Sequence, residues 1–221
     1  IILLDEKTAK ASSKVKEGQV VSMPNKPEEK LDEKLVAEDI PIDVLYEDDD
    51  IIVINKPKNM VVHPAAGNWS GTLVNAMLGK YELSNENGEF RPGIVHRLDK
   101  DTTGVMVVAK NNLAHAKLAK QIQEHNFKKV YVAIVKGVIK ENEAVIELPI
   151  GRHPIDRKKM AVVKDGREAY TKFKVLERFK GYTYIEVELK TGRTHQIRVH
   201  MAHIGYPIGG DDTYSNGKNP F

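Results

Sequence analysis

The apolar residues of this chain fall into runs and alternations that predict more strands than helices. Ile51-Ile52-Val53-Ile54 is short and continuous, the pattern of a strand buried on both faces, and Lys56-Pro57 ends it. Val105 to Ala109 reads as another buried strand, and Val130 to Val135 as a strand. Tyr170 to Phe179 and Thr183 to Leu189 alternate instead, with Thr183, Ile185, Val187 and Leu189 facing one way. Helical spacing recurs in three places. Thr72 to Leu78 follows Ser70 or Thr72 as a cap, and Leu113 to Gln123 sets Ala114, Leu118 and Ile122 on one stripe behind Asn112 as N-cap. Thr194 to Ile204 carries Ile197, Met201 and Ile204 and is stopped by Gly205 and Pro207. Ahead of these, Ile1 to Leu4 and Gln19 to Met23 read as short strands about a turn at Gly18. Pro24 to Asp39 is rich in Pro, Glu, Asp and Lys and reads as a linker. The pattern predicts a small N-terminal piece over 1–23, a linker over 24–39 and a main α+β domain over 40–221, with a mixed, mostly antiparallel sheet flanked by helices and loops.

Composition narrows the chemistry. At 221 residues and 41% hydrophobic content the chain can bury a core without staples. The absence of cysteine excludes a disulfide scaffold, a thiol nucleophile and any cysteine-based zinc site, and it fits a reducing compartment. No run approaches the roughly 18–20 apolar residues of a membrane span. Ile1-Ile2-Leu3-Leu4-Asp5 meets charge too soon for a signal peptide, and without an initiator Met the chain is expected to start inside a longer gene product. The net charge of +3 conceals an asymmetry: residues 1–50 hold 7 Lys and Arg against 14 Asp and Glu, whereas residues 51–221 hold 27 against 17. A basic body behind an acidic leader suits a polyanionic partner, or is an unevenly charged solvated surface; charge alone does not choose.

Two segments concentrate reactive side chains. Gly93 to Gly104 lies between apolar strands and holds Asp99 on a loop at the sheet edge among His96, Arg97 and Lys100, a setting that suits a nucleophilic carboxylate or a plain charged turn. Leu189 to His200 runs from strand to helix through Thr191-Gly192-Arg193. Arg193 stands just before the helix N-terminus, where backbone N–H groups, the helix dipole and a guanidinium converge on an anion, phosphate or the Asp99 carboxylate. His195, His200 and His203 lack the i, i+4 pair and the local carboxylate of a metal site, so they read as facing solvent or RNA. Tyr131 offers a flat ring for a base, or is a half-buried strand tyrosine. No phosphate loop, dinucleotide fingerprint or Gly-x-Ser-x-Gly elbow is present, so no nucleotide cofactor is implied.

Taken in order, the segments resemble a known family. His96-Arg97-Leu98-Asp99 followed by Thr102-Thr103-Gly104 is similar to the catalytic motif of the RluA/RluD family of RNA pseudouridine synthases. Asn55-Lys56-Pro57 through His63-Pro64 resembles its first motif, Lys129-Val130-Tyr131 its tyrosine motif, Leu189 to His200 its last, and Gly210-Asp211 to Tyr214 a tail element. The stretch from His63 to Asn68 and the Arg152-His153-Pro154 region point to the large-subunit synthase D branch, and residues 1–23 resemble the end of an S4-type RNA-binding domain. The chain departs from the pattern in lacking most of that S4-like domain, in stopping at Phe221 before the family's catalytic domain does, and in carrying Thr103 where many members have Ser.

The resemblance implies the pseudouridine synthase fold and an isomerase that turns specific uridines into pseudouridine, without metal, nucleotide or redox cofactor. Asp99 is then the essential carboxylate, Arg193 its ion-pair partner, and Tyr131 the group that stacks on the uracil and removes the C5 proton. Ile197 forms an apolar wall, His96 and Thr102 hold the loop, Thr103 and His195 face the substrate, and Arg97 takes the place vacated by a flipped base. The implied partner is RNA, large-subunit ribosomal RNA first and transfer RNA second, met by a cytoplasmic monomer that binds no membrane. Two other classes compete: an RNA-binding module without catalysis, which has no use for a carboxylate on a phosphate-binding face, and a histidine-metal hydrolase, which lacks its ligand set.

Overall fold

The computed structural model describes residues 2–9, 13–22, 35–65 and 67–215, which fall into two units, Ile1–Leu35 and Val36–Phe221. In the first unit β1 (Ile2–Leu4) pairs antiparallel with both β2 (Lys7–Ala9) and β3 (Val21–Ser22). Asp5, in the left-handed region at φ 48°, accepts from the Val20 amide at 2.9 Å and from Gln19 Nε2 at 2.7 Å, which closes the turn. β2 has no apolar run to announce it; Lys7 and Thr8 are exposed, and the backbone ladder alone makes the strand. Ile1, Met23 and residues 24–34 of the expected linker lie outside the described residues.

In the second unit the segment 36–40 is fastened to the stretch 71–75. Asn75 Nδ2 donates to the Val36 carbonyl at 2.8 Å, the Glu38 amide to Asn75 O at 2.9 Å, and the Gly71 amide to Glu38 Oε1 at 2.9 Å. β4 (Asp43–Glu47) and β5 (Ile51–Lys56) lead to α1 (Leu73–Leu78), capped by Thr72 in a reciprocal box with Asn75. Next come β6 (Gly104–Ala109), α2 (Asn112–Gln123), β7 (Lys129–Lys136), β8 (Glu143–Glu147), β9 (Ile150–Arg152), β10 (Met160–Val162), β11 (Tyr170–Phe179), β12 (Tyr182–Leu189) and α3 (Gln196–His203).

Three antiparallel arrays result: β4-β5-β6, β7-β12-β11-β8, and the hairpin β9-β10. β12 alternates as expected, with Thr183, Ile185, Val187 and Leu189 buried. The apolar three meet Phe173, Val135 and Ile146 from neighbouring strands and Met201 from α3 in one core. β5 corrects the expectation of burial on both faces. Ile52 and Ile54 are inaccessible while Ile51 and Val53 are only half-buried, because an antiparallel sheet covered on one side needs one apolar face. β6 keeps the expected burial on both faces from Met106 to Ala109, and only Val105 at its start is exposed. No helix among the described residues is long and apolar enough to cross a membrane.

Two helix starts differ from expectation. Asn111, not Asn112, caps α2: its extended backbone lets Oδ1 accept from the Ala114 amide at 2.9 Å. Asn112 Oδ1 instead accepts from Ser84 Oγ at 2.8 Å. α3 begins at Gln196 rather than Thr194, because His195 sits in the left-handed region at φ 57° and interrupts helical geometry.

Candidate active site

Asp99 is held on the loop between α1 and β6. That loop is locked at several points. The Thr102 amide donates to Asp99 O at 3.2 Å, and His96 Nε2 accepts from the Val107 amide of β6 at 3.1 Å. Gly93, at φ 70°, passes so near β6 that a Cβ would meet the Ala109 carbonyl at 2.7 Å, so no side chain fits there. Lys56 is fully buried at the end of β5 and donates from Nζ to the carbonyls of Pro57 (2.9 Å), Met60 (2.9 Å) and Lys100 (3.0 Å). One ammonium therefore ties the β5 exit to the residue next to Asp99. Burial pushes its pKa below the ordinary lysine value, against the opposing charges of Asp101 and Asp99. Lys56→Met keeps the stem and leaves three carbonyls without their donor. It is expected to cost about 2–4 kcal/mol, read as a lowered urea midpoint; an unchanged midpoint would show that the ammonium holds nothing.

The Asp99 carboxylate meets α3. Arg198 Nη1 donates to Asp99 Oδ2 at 3.1 Å. The other edge of the same guanidinium grips Asp211, with Nε to Oδ2 at 2.7 Å and Nη2 to Oδ1 at 3.0 Å. Asp211 is buried and also accepts from the amides of Thr213 and Tyr214 at 2.9 and 3.2 Å. Burial works against charge on both partners. The mutual bonds outweigh it, raising Arg198 and lowering Asp211 from their ordinary values. Arg198 is thus oriented from behind by Asp211 and presents its remaining donor to Asp99.

Around this pair lies a cleft of about 130 Å³ lined by Arg97, Leu98, Asp99, Thr102, Tyr131, Leu189 and the turn from Gly192 to Arg198. Tyr131 enters from β7, opposite Val187 of β12, with its ring packed on the sheet core. Burial, then the Asp99 charge, raises its pKa above the ordinary tyrosine value, so it is a neutral phenol at pH 7. Ile197 is shared between the cleft and the core, which makes it an apolar wall.

A carboxylate, an arginine held behind it and a tyrosine thus meet in one small cleft. The sequence model of the RNA pseudouridylate synthase family covers residues 50–203. The chain belongs to that family. Within it, the chain falls in the RluA/RluD group. It is 51% identical over 212 residues to an uncharacterized RNA pseudouridine synthase of Aquifex aeolicus (95% of this chain, 66% of the relative). It is 54% identical over 179 residues to ribosomal large subunit pseudouridine synthase D of Pseudomonas aeruginosa (81% of this chain, 55% of the relative). The chain thus spans between about half and two thirds of these relatives' length. Among solved structures, human RNA pseudouridylate synthase domain containing 4 superimposes with a TM-score of 0.63 at 28% identity, over 80% of this chain and 70% of that one.

In this pseudouridine synthase framework the expected pairing of Asp99 with Arg193 is corrected. Arg193 lines the cleft but turns outward, donating from Nε to the Glu168 carbonyl at 2.7 Å, while Arg198 takes the carboxylate. Helical side chains lean toward the N-terminus of their helix, so an arginine in the first turn of α3 reaches the cleft that the preceding turn opens onto. Arg97, Thr102, His195 and Ile197 are brought to the cleft, whereas Thr103 is exposed and does not line it. His96 acts behind the loop, through its bond to Val107. His200 is a satisfied core group, with Nδ1 on Thr171 Oγ1 at 2.8 Å and Nε2 on Leu148 O at 2.9 Å, not a solvent- or RNA-facing one. Gln196 braces the turn: its Oε1 accepts from Thr191 Oγ1 and the Arg193 amide, and its Nε2 donates to Tyr170 O and Thr171 Oγ1. Arg198, Asp211, Lys56 and Gln196 are the working residues to which sequence reasoning assigns no role; Arg198 lies off the apolar stripe of Ile197, Met201 and Ile204, where a charged side chain gives no local signal.

Two neutral histidines give the fold a pH dependence. His63 and His96 are each held to about 4, well under the ordinary 6.5. Burial is the main cause, followed by Arg91 and Arg97 for His63 and by Lys129 for His96. As pH falls through the ordinary value the unfolded chain binds protons that the fold refuses, so stability drops between about 6.5 and 4, by up to about 3 kcal/mol per histidine. Urea midpoints at pH 7.5 and pH 5.0 check this: the midpoint should be lower at pH 5.0, and His96→Gln should flatten the difference. Equal midpoints would contradict it.

Proposed function

We propose that this chain is the catalytic part of an enzyme that isomerises specific uridines of large-subunit 23S ribosomal RNA to pseudouridine, with Asp99 as the essential carboxylate. The observation that carries the reading is the placement of Asp99 in the cleft with Oδ2 alone engaged by the Arg198 guanidinium, which leaves Oδ1 for the reacting nucleoside. The reaction breaks the N1–C1′ glycosidic bond, turns the uracil and joins C5 to C1′. It conserves every atom and electron, so the carboxylate, a base-stacking surface and exclusion of water are what the protein must supply.

Tyr131 and Ile197 supply the surface on which the uracil lies. As a neutral phenol, Tyr131 takes part in the C5 proton step through its hydroxyl rather than as a phenolate. A stacked uridine cannot enter this cleft, so the target is flipped out, and the exposed Arg97 beside Asp99 fills the space it leaves. Basic side chains on the β9–β10 hairpin, Arg152, Arg157, Lys158 and Lys159, hold phosphates and position the RNA without reading its sequence. Residues 1–23 serve as the last part of an S4-like RNA-binding domain, joined by the segment 24–35, since 36–39 is fastened to the second unit. The test incubates the chain with transcripts of 23S ribosomal RNA fragments and of transfer RNA and maps pseudouridine by carbodiimide-stop primer extension. New stops in the ribosomal fragments support the reading; stops confined to transfer RNA move the substrate, and none in either overturns the activity of this chain.

A further inference from the structure

The second group that reaches Asp99 is His195, whose Nε2 lies 3.9 Å from the same Oδ2 that Arg198 holds. Its other nitrogen, Nδ1, lies 2.7 Å from the Tyr214 hydroxyl. That hydroxyl in turn accepts from the Met160 amide of β10 at 2.9 Å. A backbone N–H can only donate, so one lone pair of the Tyr214 oxygen is occupied and its own proton is free to go to Nδ1. The opposite arrangement would place a bare Nε2 lone pair against a carboxylate oxygen and leave the tyrosine proton without this acceptor. Hydrogen-bond logic therefore selects the tautomer with the proton on Nε2, facing Asp99.

We infer that Tyr214 and His195 form a positioning pair for the catalytic carboxylate: Tyr214 locks His195 as an Nε2–H donor, and that donor joins Arg198 on Asp99 Oδ2, so that Oδ1 alone faces the substrate. This rests on the pseudouridine synthase reading and adds two residues to its machinery.

Three further observations support it. His195 occupies the left-handed region at φ 57° without being glycine, a conformation that costs energy and persists where the surroundings dictate it. Tyr214 is itself fixed on three sides, by the Met160 amide, by its own amide on Asp211 Oδ1 at 3.2 Å, and by the Arg198 guanidinium 5.0 Å from its ring centre. Burial lowers the His195 pKa, with Arg198 and Arg97 acting in the same direction and Asp99 and Asp211 opposing. The ring is then a neutral imidazole at pH 7, for which the choice of tautomer matters. The 3.9 Å separation closes to a hydrogen bond when a nucleoside fills the cleft and expels its water, as catalytic contacts that are long in the free enzyme commonly do.

Nitrogen-15 NMR of the histidine side chains, with His195 assigned by its substitution, reads the tautomer in the RNA-free protein, whether or not any RNA is turned over. Nε2–H in the wild type, with the population moving toward Nδ1–H in Tyr214→Phe, is the expected result. Nδ1–H in the wild type overturns the proposal. Single-turnover assays on a modifiable transcript supply the second arm. Tyr214→Phe and His195→Leu should each lower the rate constant about ten- to a hundredfold, with RNA affinity within about twofold of wild type. His195→Gln, which keeps a donor near the Nε2 position, should recover most of what His195→Leu loses. Equal losses in Gln and Leu, or loss of RNA affinity in place of rate, would reduce His195 to a structural or binding role and sink the pairing. A wild-type protein that turns over no RNA but shows Nε2–H would overturn the activity and leave the tautomer lock standing.

Discussion

Asp99→Asn should abolish pseudouridine formation, by on the order of 10⁴-fold or more, while the protein stays folded and binds RNA at least as well as wild type. The asparagine keeps the shape of the side chain, and its carbonyl oxygen can still accept from Arg198 Nη1, so the ion pair becomes a neutral-acceptor bond without a steric change. That costs about 1 kcal/mol of stability. What disappears is the anionic oxygen in the cleft, which no neighbour can replace: among the carboxylates of the site, Asp211 is buried and committed to Arg198 and two backbone amides. Removing a negative charge from a face that meets phosphate also lessens repulsion, so affinity should hold or rise. Primer-extension stops on wild-type and variant reactions, with circular dichroism and a filter-binding titration alongside, measure all three quantities. Turnover by the variant would remove Asp99 from the mechanism, and an unfolded variant would make it a structural residue.

Arg198→Met should be the most disruptive single change to the site, costing about 3–5 kcal/mol of stability and nearly all activity. The guanidinium satisfies two carboxylates at once, and Asp211 has almost no solvent access with which to make good the loss. Methionine preserves the volume of the stem, so the damage comes from uncompensated charge rather than from a cavity. Arg193→Ala is the control that separates the two arginines. It gives up one bond to the Glu168 carbonyl on a partly exposed side chain and should cost about 1 kcal/mol at most, with a smaller loss of rate. Urea unfolding and single-turnover rates on both variants decide the matter. If Arg193→Ala proves as damaging as Arg198→Met, the assignment of the Asp99 partner to α3 is wrong.

The contrast between those arginines marks where the sequence stops being legible. Both lie within six residues on one motif, and both line the cleft. A helix start at Thr194 makes Arg193 the residue at the helix entrance. The left-handed backbone of His195 moves that start to Gln196, and the lean of helical side chains then delivers Arg198 to Asp99. A positive φ at a histidine is not written in any hydrophobic period. Asp211 and Tyr214 are visible as a tail motif, yet their roles depend on approaches from α3 and β10 that are set by packing. Lys56 is visible beside Pro57, but a lysine within a strand reads as a solvated end until three carbonyls are seen to surround it.

By itself the sequence determined the three helices and the strands β1, β3, β5, β6, β7, β11 and β12 in their order, because period-two alternation in β12 and the i, i+4 stripe of α2 are local consequences of backbone geometry, whereas β2, β4, β8, β9 and β10 were seen only in the fold. It also determined the family, through motifs whose order along the chain needs no structure to recognise. Tertiary structure alone decided which charges meet: Asp99 and Arg198 lie 99 positions apart, and nothing local to either encodes the distance between them. Ion pairs and hydrogen bonds are properties of ångström-scale separations, and those are set only when the strands have registered and α3 has packed Met201 and Ile197 onto the sheet.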